Sequence, residues 1–344
     1  MKDKIKVIIL GTGYGNNVIK PSIGKKDNYE ILDIVSPRKL INYKKNKNIE
    51  FNNDLRRIFY SNLADCVILA VPPRLQYYFL KHCLKGEKSF ICEKPFTFSL
   101  SQAKTIHKEI IQSNLKCALG YQFRYDPLIE VFKKLNFELG TPVYDTININ
   151  WNTSGSLNTK KLYSWRDSNS QSLGVISEWC SHVFDYIHHL TGAKFHEISS
   201  FSKRNIEFRK DLKNKLIKVE NPDQITINSV LDSGTKCGIE INTAYEGTCH
   251  HSISLKKDDI KISVVIYPPY FQENIKVFSN INIDLPLDYS NSKIDTRITS
   301  YSNLLNDYFS YFNDINQVPK LPKSLDGVLV WECIEKSLKS KTKL

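Results

Sequence analysis

The sequence predicts an α/β first half joined to an α+β second half, and three observations carry that reading. A glycine-rich turn, Gly11-Thr12-Gly13-Tyr14-Gly15-Asn16, directly follows an apolar run. Up to about residue 125, short apolar runs alternate with helical stretches, which is the pattern of βαβ units. Beyond it, strand-like runs follow one another and two helical segments close the chain. The boundary is placed near 125, giving domains of 1–125 and 126–344, and 41% apolar side chains suffice for two cores.

Taken in order, Ile5 to Leu10 reads as a buried strand, and the glycine turn comes before Val18 and Ile19 open a helix. Glycines let the backbone double back and let its amides approach a pyrophosphate at the helix amino end. The spacing is Gly-x-Gly-x-Gly-Asn rather than Gly-x-Gly-x-x-Gly, so the strand before and the helix after carry the argument. A glycine turn of some other α/β protein is the alternative. The next strand, Tyr29 to Val35, ends in Ser36-Pro37-Arg38-Lys39, where an NAD-preferring site would offer an acid. Asp33 lies inside the strand pattern rather than at its tip. Ser36, Arg38 and the lysines at 44, 45 and 47 would accept a 2′-phosphate, so NADP is expected over NAD; the competing reading is an exposed basic loop.

Asp65 to Val71 is a further buried strand, ending at Pro72-Pro73-Arg74, and a helix from about Leu75 to Leu84 returns the chain to Ser89. That fourth strand closes on Glu93-Lys94-Pro95, which delivers charge at the carboxyl end of a parallel strand, where open α/β sheets bind ligands. A solvated loop lysine is the plain alternative for Lys94. Ser99-Leu100-Ser101 caps a helix running to about Ser113, and Lys116 to Tyr121 supplies one more strand before Gln122-Phe123-Arg124.

The second half reads as α+β. Val143 to Trp151 alternates like a strand, Tyr163-Ser164-Trp165-Arg166-Asp167 leads to a helix from about Glu178 to Leu190, and Thr191-Gly192 stops it. Strand-like runs follow at 224–230, 236–243, 252–255 and 261–267, with closing helices at about 301–313 and 324–338. On a helix, Glu178 and His182 share one face and Asp185 lies on the same side. That is a geometry for a histidine whose basicity a carboxylate sets, and histidine is suited to exchanging a hydroxyl proton near neutral pH. The same groups could instead cap the helix or form salt bridges. No metal site is expected, because no third histidine or cysteine is placed to join them.

Net charge is +12. Abundant Lys, Asn, Ile and Tyr would follow from an AT-rich genome, and neither a basic helix nor an aromatic-and-basic strand argues for nucleic acid. Eight scattered cysteines without a Cys-x-x-Cys pair read as buried free thiols of a reducing compartment. The amino terminus has no long apolar region with a cleavage site, and no apolar stretch approaches the ~20 residues of a membrane span. A cytoplasmic protein without membrane contact is expected.

The glycine turn, Ala70-Val71-Pro72-Pro73, Glu93-Lys94-Pro95, Gln122-x-Arg124-x-x-Pro127 and Gly174-Val-Ile-Ser-Glu178-x-x-x-His182-x-x-Asp185 together resemble, in order and spacing, the Gfo/Idh/MocA family. The resemblance covers nearly the whole chain. It implies an amino-terminal Rossmann domain with a doubly wound parallel sheet, and a carboxyl-terminal α+β domain whose open, mostly antiparallel sheet makes homo-oligomer contacts. It also implies NAD(P)-dependent interconversion of a secondary hydroxyl and a ketone on a sugar, cyclitol or nucleotide sugar. Gly11, Thr12, Gly13, Tyr14, Gly15, Asn16, Ser36, Arg38, Val71, Pro72, Glu93, Lys94, Gln122, Trp165 and Arg166 then serve the cofactor, with Glu93 on the nicotinamide ribose. Lys94, its backbone restricted by Pro95, polarises the reacting oxygen. His182 exchanges the proton, supported by Glu178 and Asp185.

Four departures bear on substrate choice more than on reaction type: Glu178 where relatives carry aspartate, Cys180-Ser181 where glycine is common, a glycine cluster ahead of the motif reduced to Ser172-Leu173-Gly174, and Gln76 where many carry histidine. Two rival readings are a glycosidase working through transient oxidation with tightly held NAD, and a non-catalytic dinucleotide sensor. Retention of Lys94 and His182 argues against the sensor.

Overall fold

A computed structural model describes residues 3–24, 26–40, 53–126, 129–130, 132–133, 144–281, 295–315, 318 and 320–340. Lys44, Lys45, Lys47 and Pro127, singled out above, lie outside these residues. Packing divides the chain into two compact units, one of residues 1–122 with 297–329 and one of 123–296 with 330–344. The sequence reading assigned everything after 125 to the second domain, whereas contacts return 297–329 to the first. The reason is the helix Thr296–Phe312, whose Leu304, Leu305 and Tyr308 are fully buried. Tyr29 donates its hydroxyl proton to the Leu305 carbonyl at 2.6 Å, and Tyr308 donates to the Lys116 carbonyl at 2.8 Å. Order along the chain does not encode such contacts.

The first unit is built on a five-stranded sheet of β1 (Ile5–Leu10), β2 (Tyr29–Val35), β3 (Cys66–Leu69), β4 (Ser89–Cys92) and β5 (Cys117–Leu119). Their spatial order is β2-β1-β3-β4-β5 and every pairing is parallel. Parallel strands are covered on both faces, which is why β3 reads as the unbroken apolar run Cys66-Val-Ile-Leu69 with every residue buried. The order reverses between β1 and β3, so their carboxyl ends flank the crevice where such sheets bind ligands. Around the sheet stand the helices Asn53–Phe59, Pro73–Lys85 and Leu100–Ile111. The last is capped by Ser99, whose hydroxyl accepts the Gln102 N–H at 3.3 Å. The helix expected to open at Val18 already begins at Thr12 and passes through a π turn, Gly15–Ile19.

The second unit is a seven-stranded sheet of β6 (Thr146–Asn152), β7 (Phe195–Lys203), β10 (Gln224–Leu231), β11 (Lys236–Asn242), β12 (His250–Lys257), β13 (Ile260–Ile266) and β14 (Ile275–Ser279). The order is β14-β13-β12-β6-β11-β10-β7, antiparallel throughout except for the parallel pair β6 and β11. A small hairpin, β8 (Phe208–Lys210) with β9 (Leu216–Lys218), stands apart from it. One sheet face is apolar, as in β10, where Ile225, Ile227 and Leu231 are buried at alternate positions. The helix Cys180–Thr191 lies on that face, with Phe184 edge-on to Phe195 of β7 at 4.9 Å between ring centres. It stops at Gly192, whose φ of 67° is the left-handed cap glycine favours.

Candidate active site

In the first unit the glycine turn is shaped by what each glycine meets. Gly11 has φ 121°, and a Cβ there would come within 2.0 Å of the Ala70 carbonyl oxygen, so only glycine passes between the ends of β1 and β3. A Cβ on Gly15 would press on Ile9 at 2.9 Å, so this early third glycine serves close packing of helix on strand. Gly13 is different, because a Cβ there would meet nothing within 4 Å. The turn is thus tight on its protein side and open at Gly13, where an anion can approach its amides. Asn16 steadies the turn by donating from Nδ2 to the Thr12 carbonyl at 2.8 Å.

At the end of β2, Ser36 is half-buried and Arg38 is exposed on a short helix, Pro37–Leu40. Asp33 is engaged by Arg57 at 2.5 Å. Val71 is buried at the end of β3, and Pro72 precedes the first turn of the helix Pro73–Lys85.

The chain leaves β4 through Glu93, Lys94 and Pro95, with a cis peptide at Lys94–Pro95. The Glu93 N–H donates to the Leu69 carbonyl at 2.9 Å, tying this segment to the end of β3. Its side chain is buried against Gly120, where an added Cβ would come within 2.5 Å of the carboxyl oxygen. Gln122 donates from Nε2 to the Tyr14 hydroxyl at 2.7 Å, so it braces the glycine turn from the end of β5. Among the described residues, Glu93 Oε1, Gln122 Oε1 and the Tyr301 hydroxyl are buried with no hydrogen-bond partner. Buried polar atoms are almost always paired, so three orphans mark a place where a ligand or water completes the structure. Burial pushes the Glu93 carboxyl up to about 7, against the opposing pull of Lys94.

The acceptors of Glu93 and Gln122 suit ribose or amide donors, and the open glycine turn suits a pyrophosphate. The first unit therefore fits a dinucleotide on its own residues. Tyr301 and Gly120 were not read from the sequence. Tyr301 comes from a helix far along the chain, but Gly120, just after a strand and before Gln122, was a visible signal.

In the second unit, the helix expected from Glu178 is assigned as two stretches, Val175–Glu178 and Cys180–Thr191. Trp179 between them keeps right-handed helical dihedrals, φ −109° and ψ −49°, and accepts the Val183 N–H at 3.4 Å, so the helical path runs on from Glu178 to His182. Glu178 accepts from Arg166 Nε at 2.8 Å and from the Ser172 hydroxyl at 2.9 Å. Asp185 accepts two parallel bonds from Arg124, Nε to Oδ2 at 2.8 Å and Nη2 to Oδ1 at 2.6 Å. His182 is buried, its ring edge-on to Phe123 at 4.5 Å.

Trp165 and Arg166 sit on a 3₁₀ turn capped by Ser164, with the Arg166 guanidinium 4.2 Å above the Trp165 ring. The turn is anchored by Asp167, which accepts from Arg209 Nε at 3.0 Å. The structure thus gathers Trp165, Arg166 and Glu178 into one chain of contacts. Around Phe123 lies an aromatic cluster: Trp151 is edge-on to Phe123 and Trp179, and stacks on His251 at 4.0 Å. Burial, with His250 adding, pushes His251 down to about 3, so it is neutral at physiological pH. Among the described residues no cluster of three or more His, Cys, Asp or Glu could hold a metal ion, and no helix is long and apolar enough to cross a membrane. All eight cysteines are free, and seven are buried.

Comparison with known proteins identifies the chain. The family profile described as "Oxidoreductase family, NAD-binding Rossmann fold" matches residues 5–121, and that of the family's "C-terminal alpha/beta domain" matches residues 135–279. The chain belongs to the Gfo/Idh/MocA oxidoreductase family.

Among Gfo/Idh/MocA relatives, an uncharacterized oxidoreductase of Synechocystis sp. is 20% identical over 90% of this chain and 87% of its own length. The scyllo-inositol 2-dehydrogenase (NADP(+)) of Bacillus subtilis is 25% identical over 55% of this chain and 52% of its own length. A levoglucosan dehydrogenase solved in complex with NADH and L-sorbose superposes with a TM-score of 0.74 at 15% identity, covering 98% of this chain and 97% of that one. The parallel sheet of the first unit and the mostly antiparallel sheet of the second are the two domains of a Gfo/Idh/MocA oxidoreductase.

Proposed function

We propose that this oxidoreductase prefers NADP and interconverts a secondary hydroxyl and a ketone on a sugar, cyclitol or nucleotide sugar. The observation that carries the reading is the carboxyl-end cluster of the first sheet: an open Gly13, two orphaned acceptors on Glu93 and Gln122, and Lys94 next in sequence to Glu93. Bound nicotinamide supplies the hydride acceptor or donor. Glu93 and Gln122 accept hydrogen bonds from the ribose and carboxamide region and so fix the ring. Lys94 donates to the reacting oxygen and stabilises negative charge as it develops there. His182 takes the hydroxyl proton in oxidation and returns it in reduction.

Glu178, held by Arg166 and Ser172, and Asp185, held by Arg124, fix the two flanks of the His182 helix turn; their role is positional. Trp165 acts with Arg166 in that anchorage and on the cofactor side of the substrate. Ser36 and Arg38 receive the 2′-phosphate, and the pairing of Asp33 with Arg57 favours that choice by removing a competing carboxylate. The scyllo-inositol and levoglucosan dehydrogenases among the relatives support a polyhydroxylated substrate.

The protein acts in the cytoplasm and assembles as a homo-oligomer through the second sheet. Strand register supports this assembly, aligning Ser199, Asn228, Gly238, Asn148, Ser254 and Ser263 in one row across six strands. Such a row of small, uncharged groups can lie flat on a second copy.

The test is a panel of sugars, cyclitols and nucleotide sugars with NADP+ or NAD+, followed by nicotinamide absorbance. Oxidation that requires added cofactor, with the lower KM for NADP+, is expected. Bond cleavage without added cofactor would replace this reading with the glycosidase one, and a clear NAD+ preference would end the NADP assignment.

A further inference from the structure

Gln76 stands on the first turn of the helix Pro73–Lys85, and its side chain is 0% exposed. Its Nε2 donates to the backbone carbonyl of Glu93 at 2.6 Å, and its Oε1 accepts the backbone N–H of Thr97 at 2.8 Å. One planar amide therefore closes both ends of the segment Glu93-Lys94-Pro95-Phe96-Thr97. The segment is not relaxed by itself, because Thr97 has φ 68°, a left-handed conformation that a β-branched residue rarely adopts. At its middle Phe96 is fully buried against Gly327, where a Cβ would come within 2.6 Å of the ring. With both ends and Phe96 held, Lys94 projects from a fixed backbone.

We infer that Gln76 is the positioning residue for Lys94, holding the loop so that the ammonium meets the substrate oxygen in the reactive direction. This rests on the role proposed for Lys94. The chemistry of the position is narrow, since one donor and one acceptor must be presented together at the reach of a glutamine. Leucine supplies neither, asparagine is one methylene short, and glutamate loses the donor. A histidine ring, with one N–H and one bare nitrogen, can supply both. Removing the clamp leaves the buried Thr97 N–H without this acceptor and leaves the Glu93 carbonyl the weak contact from Cys92 Sγ at 3.4 Å. The loop then shifts, and a misplacement of about 1 Å at a reacting centre can cost about 100-fold in rate.

The experiment compares Gln76→Leu, Gln76→Asn, Gln76→His and Lys94→Ala with the wild type. It measures kcat and KM on the alcohol the wild type oxidises best in the panel, the NADPH dissociation constant, and amide exchange at Thr97. The Thr97 measurement needs no substrate. Gln76→Leu is expected to lose about 100-fold in kcat, with KM and NADPH affinity within about 3-fold and Thr97 exchange at least 10-fold faster. Gln76→His should recover most of both losses.

If Gln76→Leu kept wild-type kcat or Thr97 protection while Lys94→Ala lost turnover, the clamp would be refuted and the role of Lys94 would stand. If Lys94→Ala itself turned over normally, the role of Lys94 would fail instead. Should Gln76→Leu not fold, Gln76→Asn is read in the same way. A Gln76→His protein as slow as Gln76→Asn would also refute the clamp.

Discussion

Arg124 and Asp185 form a buried bidentate ion pair, with bonds of 2.8 and 2.6 Å and side chains 3% and 1% exposed. The guanidinium fork matches the carboxylate edge, so both charges are satisfied without water. Breaking such a pair from one side leaves an uncompensated buried charge at a cost of about 3–5 kcal/mol. Asp185→Asn should therefore lower stability to denaturant by about that amount. The double replacement Arg124→Leu with Asp185→Leu should cost clearly less than the sum of the single ones, and denaturant melts of the wild type, Asp185→Asn, the two leucine variants and their combination measure both.

Glu93 should make the cofactor-free protein less stable as pH rises. Its folded pKa of about 7 lies above the ordinary value of 4.5, so between those limits the native state holds more proton than the unfolded chain. Stability then falls as pH rises through that window, by an amount on the order of 3 kcal/mol when complete. Glu93→Gln carries no charge to desolvate. It should melt higher than the wild type at pH 8 and nearly level with it at pH 4.5, and equal melting points at pH 8 would count against the buried-carboxyl account.

His251 acts in the opposite direction. Its folded pKa of about 3 lies below the ordinary 6.5, so the unfolded chain binds the extra proton and stability is lost as pH falls through that interval. His251→Phe keeps an aromatic surface for Trp151 and removes the titration. The variant should lose less stability than the wild type between pH 6.5 and 4, as thermal melts across that range would show.

Cofactor choice is expected to turn on Arg38. Exchange of Arg38 for alanine should raise the dissociation constant for NADPH by about 10-fold or more, as loss of a charge-assisted phosphate contact would, and leave NADH within about 2-fold. Fluorescence titration of both cofactors reads this, and equal loss for the two would remove Arg38 from the 2′-phosphate.

Much of the first unit was legible because strands buried on both faces leave apolar runs, unbroken in Cys66 to Leu69 and broken only by the exposed Lys6 in Ile5 to Leu10. The glycine turn was legible for the same local reason, although the early start of its helix at Thr12 was not, since Thr12, Gly13 and Gly15 are poor helix formers. What the sequence hid is non-local. Tyr301 approaches Glu93 from the other end of the chain, and Gln76 reaches the backbone on both sides of Lys94. The Arg166 and Ser172 partners of Glu178 were hidden because both come from the segment ahead of its helix, which no spacing along the helix identifies. Arg166 lies on a 3₁₀ turn whose direction no periodicity announces.

In the proposed reaction Lys94 and His182 perform the chemistry while other groups hold the cofactor. Single-turnover hydride transfer in Lys94→Ala and His182→Ala, each loaded with NADP+ and mixed with the best alcohol of the panel, tests it most directly. Rates lower by about 100-fold or more are expected, with NADP+ affinity within a few-fold of the wild type. Transfer at the wild-type rate in both variants would contradict these roles.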